Sequence, residues 1–292
     1  MIGSGASAGG RNTGIVGALL LGSLLTLRPA AADPTLTASR QATLLRLAAA
    51  DDARLAAVAA ALERAIDAGR RGAARIIQGE TPPAADLEQA ADAAARAMQL
   101  GADSQRADAA VDGTRLAVMP GQPALPAGPH SADLSGVDGQ LRDAAAASGG
   151  FVERRHAAAE TLEAMRAALA ALDRGDAAAA IPTLDRADAA RRVVRAWPEP
   201  PVVLPFWLRT TDRMLSAARD IADATLAGDA AAARRAGRAY RRAATHARRA
   251  DTALALAISE SGAALASVPL RRLAEALDAT SERRAAVASV LH

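Results

Sequence analysis

The chain contains no cysteine and no lysine, one asparagine (Asn12), and five aromatic residues among 292. Without cysteine there is no disulfide, no thiolate nucleophile, no thiolate ligand for a metal and no lipid-anchoring thiol. Without lysine there is no Schiff-base chemistry and no lysine-bearing phosphate loop. β-Branched and aromatic residues are scarce, and no segment alternates Val, Ile, Thr or Tyr with polar residues, so the sequence holds no strand candidate. Acids and bases nearly balance. The pI of 10.6 reflects arginines that do not deprotonate and the near absence of groups titrating above neutrality, on a net charge of only +3. Arg11 and Arg28 lie in an acid-free first segment. The remainder carries 33 arginines against 32 acids, a net of +1. That balance excludes a chain built to cover phosphates, so no nucleic-acid partner is expected.

What is present is alanine, then leucine. Alanine is the strongest helix former, and the pattern predicts an all-α protein: antiparallel bundles of long helices joined as αα-hairpins, without a sheet. Each methyl buries little area, so such a core gains by bringing helix axes close.

Residues 1–32 read as a secretory signal peptide. Arg11 precedes the apolar stretch Asn12–Leu27, and Ala30-Ala31-Ala32 offers small residues for cleavage before Asp33. Export to the cell envelope or medium follows; the alternative is a membrane anchor formed by residues 12–27. No later segment reads as long and apolar enough to span a bilayer.

The rest divides into a helical hairpin region (33–118), a proline-rich linker (119–132) and a C-terminal bundle (133–292). A long helix is expected over 37–78. Pro82-Pro83 ends it, and a second helix over 84–100 is capped by Gly101 ahead of a weaker one to Val118. Pro120, Pro123, Pro126 and Pro129 recur every third residue, the period of a polyproline rod, and the segment reads as a semi-rigid spacer. Ser148-Gly149-Gly150 should separate two helices, and Pro182 should kink another. "RGDAAAA" and "AGDAAAA" place Gly175 and Gly228 at helix ends and Asp176 and Asp229 as caps of the next helices. The final helices are expected over 208–227, 230–266 and 269–291.

Three clusters are candidate sites. Glu153, His156 and Glu160 form a Glu-x-x-His row of the kind that ligates metal in helical bundles. No second such pair exists, and the row lies opposite Leu162, Met165 and Leu169, so it reads as a solvated face. The stretch from Trp197 to Trp207 gathers three of the five aromatics among four prolines. Trp197, Val202, Val203, Leu204, Phe206 and Trp207 there form either a plug across a bundle end or an exposed patch for a ligand or partner. Burial of Trp207 decides between them. Arg234, Arg235, Arg238, Arg241, Arg242, Arg248 and Arg249 line one long helix and suit an anionic surface, although a solvated or acid-paired face is the plainer reading.

No catalytic constellation is visible. His130 sits in the linker, His292 is the last residue, and no nucleophile elbow, phosphate loop or zinc spacing occurs. The sequence names no cofactor. It supports an exported, non-enzymatic bundle acting through an envelope protein, self-association or an anionic surface. A module for a lipid or small apolar ligand is the alternative, and a helical metalloprotein or enzyme the second alternative.

Overall fold

The computed structural model describes residues 34–128 and 133–292. The signal or anchor segment lies outside the described residues, as does His130. Six helices account for nearly all of the rest: α1 (Pro34–Gln78), α2 (Pro83–Val118), α3 (Val137–Asp173), α4 (Ala177–Arg195), α5 (Leu204–Leu226) and α6 (Ala230–Leu291). The fold is all-α, with no strand among the described residues.

The turn chemistry is as the sequence predicts. Gly175 and Gly228 take φ of 81° and 69°, a region open to glycine at little steric cost. The Asp176 carboxylate accepts from the Ala179 N–H at 2.9 Å. Asp229 accepts from Ala231 and Ala232. The Ala232 N–H above all, then that of Ala231 and the nearby Arg235 and Arg234, hold the Asp229 carboxyl below its ordinary range.

Several expected breaks are not breaks. Gly101 is buried in mid-helix and α2 runs on to Val118. Gly149 and Gly150 stay helical inside α3, where Ser148 donates to the Ala145 carbonyl. α6 passes through Pro269 and extends 62 residues, about 90 Å at 1.5 Å per residue. In each case burial along a neighbouring helix outweighs roughly 1 kcal/mol of glycine propensity, or about 3 for proline. α5 starts at Leu204 rather than Leu208, because Pro205 falls in the first turn, where a missing N–H costs nothing. α6 also overturns the expectation about membrane spans: by length and composition alone it is apolar enough to cross one. Leu254, Ile258, Gly262, Ala266 and Pro269 in that part of the helix are buried against the rest of the protein.

α3 and α6 serve two cores. The first unites α1, α2, the start of α3 and the second half of α6, around Leu62, Leu87, Leu141 and Leu273. The second unites the end of α3 with α4, α5 and the first half of α6, around Met165, Leu184 and Ile221. α1 and α6 approach closely. A Cβ on Gly262 would stand 2.4 Å from Ile76 Cγ2, and one on Gly69 the same distance from Leu270 Cδ2. The described part of the proline-rich segment, residues 119–128, is tied to the helices. Arg115 of α2 donates to the Pro123 carbonyl at 2.8 Å, Arg283 of α6 donates to that of Pro126 at 3.2 Å, and Leu125 packs on Ala48, Leu55 and Val287.

Candidate functional site

The aromatic segment closes the end of the second core that faces the first. The Val203 carbonyl accepts from the Phe206 and Trp207 N–H groups, which starts α5 and sets those two side chains about 100° apart. Trp207 points inward and is fully buried, among Ala157, Ala158, Val194, Ala250, Leu254 and Ile258. Its indole N–H donates to Asp251 Oδ1 at 3.3 Å. Burial raises the Asp251 carboxyl above its ordinary range, and the indole hydrogen bond opposes that. Trp197 is nearly buried, edge-on to Phe151 at 5.9 Å, with the Arg154 guanidinium 5.2 Å over its ring. Leu204 is buried and Val203 partly so. What remains outside is Val202, 99 % exposed, and Phe206, 43 % exposed.

α5 pairs with the first half of α6 beside Phe206. A groove of about 650 Å³ lies between them, floored by Ala217 and Ala243. Phe206 and Arg213 of α5 and Arg242 and His246 of α6 line it, with Asp220 the acid in its wall. The structure therefore brings together Phe206 and Arg242, which the sequence placed in separate clusters. It also divides the arginine row. At 100° per residue, Arg235, Arg238, Arg242 and Arg249 share the face of His246, while Arg234, Arg241 and Arg248 lie a quarter-turn or more round the helix. All seven are exposed, and among the described residues none forms an ion pair. From Ala230 to Ala250 the helix holds seven arginines and no acid. Like charges three and four residues apart destabilise a helix by a few tenths of a kcal/mol each.

Glu153, His156 and Glu160 are exposed on α3, and Glu160 pairs with Arg186 at 3.2 Å. Among the described residues no group of three His, Cys, Asp or Glu side chains is arranged to hold a metal ion.

One cluster escaped the sequence reading. Arg283 of α6, fully buried, bonds both carboxylate oxygens of Asp112 at 3.0 and 3.2 Å and lies 3.7 Å from Asp51 and Asp108. Asp51 of α1 is also fully buried, and neither of its carboxylate oxygens has a hydrogen-bond partner within bonding geometry. Burial first, then the Asp108 charge, pushes the Asp51 carboxyl up to about 6, against the pull of Arg283. The cluster locks α1, α2, α6 and the proline-rich segment together, and its buried members are out of reach of a substrate.

No family model, curated protein or solved structure matches this chain.

Proposed function

We propose that the protein is a non-enzymatic helical bundle that docks on an anionic lipid surface through the α6 face bearing Arg235, Arg238, Arg242 and Arg249. The observation that carries this reading is the row of exposed, unpaired arginines, a local concentration of positive charge on a chain whose remainder is net acidic. Phe206 beside the groove, and Val202 four residues before it, supply apolar groups able to enter the headgroup region. Guanidinium groups suit phosphate recognition, because their planar donor fork meets two oxygens at once.

Each basic residue near an anionic bilayer contributes about 1 kcal/mol. Converting the four face arginines to glutamine together should weaken binding to vesicles containing one-quarter phosphatidylglycerol by about a thousandfold. Cosedimentation at low and high salt measures this. Binding that ignores the substitutions, or that is equally strong on neutral phosphatidylcholine vesicles, overturns the proposal. So does binding confined to soluble acidic polymers.

Export is part of the same proposal and rests on Arg11, the apolar stretch Asn12–Leu27 and the small residues ahead of Asp33. The intact mass of the protein from its own cells should correspond to a chain beginning at Asp33. A full-length chain recovered from the cytosol counts against it.

A further inference from the structure

α6 turns a different face toward α3 and the middle of α5, roughly opposite the arginine face. There the buried side chains of Leu162, Met214 and Ala247 floor a pocket of about 470 Å³. Sites for small molecules span about 300–1,000 Å³. Tyr240 lines this pocket, is 4 % exposed, and its hydroxyl has no hydrogen-bond partner. The contrast with the buried threonine hydroxyls is chemical. Thr161, Thr211 and Thr280 each donate to a carbonyl four residues back on their own helix. A phenol is too long to turn back in this way and needs an acceptor from outside its helix.

Two cations stand at the same pocket, Arg166 of α3 and Arg248 of α6. Both are exposed, and neither guanidinium forms a hydrogen bond or ion pair among the described residues. Burial above all pushes the Tyr240 phenol up to about 12; Arg166 lies near enough to oppose that shift, and the Asp173 carboxylate adds to it. At neutral pH the phenol therefore keeps its proton and is a donor. One orphan donor inside, two guanidinium groups outside any ion pair at the rim and an apolar floor make one consistent set, with the Arg166 charge also felt by Asp251.

We propose that this pocket binds a small apolar molecule carrying a single carboxylate. The carboxylate accepts from the Tyr240 hydroxyl and the Arg166 guanidinium, Arg248 adds positive potential at the rim, and the hydrocarbon lies on Leu162, Leu169 and Met214. The proposal is independent of the lipid-docking face, which uses other residues on another side of α6.

The test is calorimetric titration of the full chain with octanoate and with octanol, which share a hydrocarbon and differ in charge. Octanoate should bind with one-to-one stoichiometry, and octanol at least about tenfold more weakly. A hydrogen bond to a charged group is worth roughly one order of magnitude in affinity. Tyr240→Phe and Arg166→Gln should therefore each weaken octanoate binding about tenfold or more. Tyr240→Phe removes only an unsatisfied hydroxyl, so the ligand-free variant should melt at or above the natural temperature. Octanoate affinity unchanged by Tyr240→Phe, octanol binding as tightly as octanoate, or no octanoate binding at all overturns the proposal.

Discussion

Arg283→Met is expected to lower the unfolding free energy by about 3–5 kcal/mol at neutral pH, and the melting temperature by roughly 10 °C. Methionine fills most of the arginine's volume, so the loss comes from the unpaired charge and from the hydrogen bonds to Asp112 and to the Pro126 and Asp108 carbonyls. Asp51 is left buried without its cation, while Asp108 and Asp112 retain 17 % and 41 % side-chain exposure. The effect should depend on pH with a definite sign. Asp51 titrates near 6 in the folded protein against an ordinary 3.8, so between those values the folded state holds a proton that the unfolded chain has released. Stability from this group is therefore greatest in acid and falls as pH rises from about 4 to 6, on the order of 3 kcal/mol in all. Removing Arg283 raises the Asp51 pKa further and extends the fall toward neutrality. Adding Asp51→Asn to Arg283→Met should recover much of the stability at pH 7 and flatten the profile. Urea denaturation at pH 5 and 8 measures all three chains. A double variant no more stable than Arg283→Met alone would show that Asp51 is not the source of the cost.

The two fully buried members of this cluster, Asp51 and Arg283, were visible in the sequence as phase. Leu44, Ala48, Asp51, Leu55, Val58 and Leu62 recur at alternating four- and three-residue steps, and Asp51 stands in that apolar row. Leu273, Ala276, Thr280, Arg283 and Val287 form the matching row of α6, and every one of them is buried. A charge on the core stripe of a helix needs a partner on the facing stripe. Counting arginines as a solvated class, in a chain whose only strong cation is arginine, hid that. The helical fold and the Gly-Asp turns were legible because both are local: propensity, a left-handed glycine and a side-chain cap act within a few residues. The continuity of α2, α3 and α6 was not. Gly101, Gly149 and Pro269 carry local penalties, and the contacts that outweigh them come from other helices. The groove beside Phe206 was illegible for the same reason, since α5 and α6 contribute to it from positions about 35 residues apart. Tyr240 falls in the apolar row with Ala243, Ala247, Ala250 and Leu254 on α6, but its missing acceptor depends on what α3 and α5 put opposite it.

Trp207→Ala should cost about 3–5 kcal/mol, in the range found for buried aromatics, with the surroundings favouring the upper part. Cavity cost depends on how far the neighbours can collapse. Here three of them, Ala157, Ala158 and Ala250, have side chains that end at Cβ, so closing the gap on their side requires the backbones of α3 and α6 to move. Those helices are held elsewhere. Arg155 of α3 bonds the Ile77 carbonyl and Ser259 of α6, and α6 is clamped to α1 at Gly262. Asp251 loses its indole donor at the same time, and a half-buried carboxylate without that partner adds to the penalty. Trp207→Phe separates the two contributions: it keeps most of the ring volume and removes the N–H, and should cost about 1–3 kcal/mol. Phe206→Ala, one residue away and 43 % exposed, should change stability far less while removing an apolar group from the proposed docking face. Denaturation followed by far-UV circular dichroism reads all three, and the fluorescence of the remaining Trp197 follows the two Trp207 variants. Equal losses for Trp207→Ala and Phe206→Ala would mean that the segment does not divide into a buried wedge and an outward contact, and the assignment of Phe206 to lipid docking would fall with it.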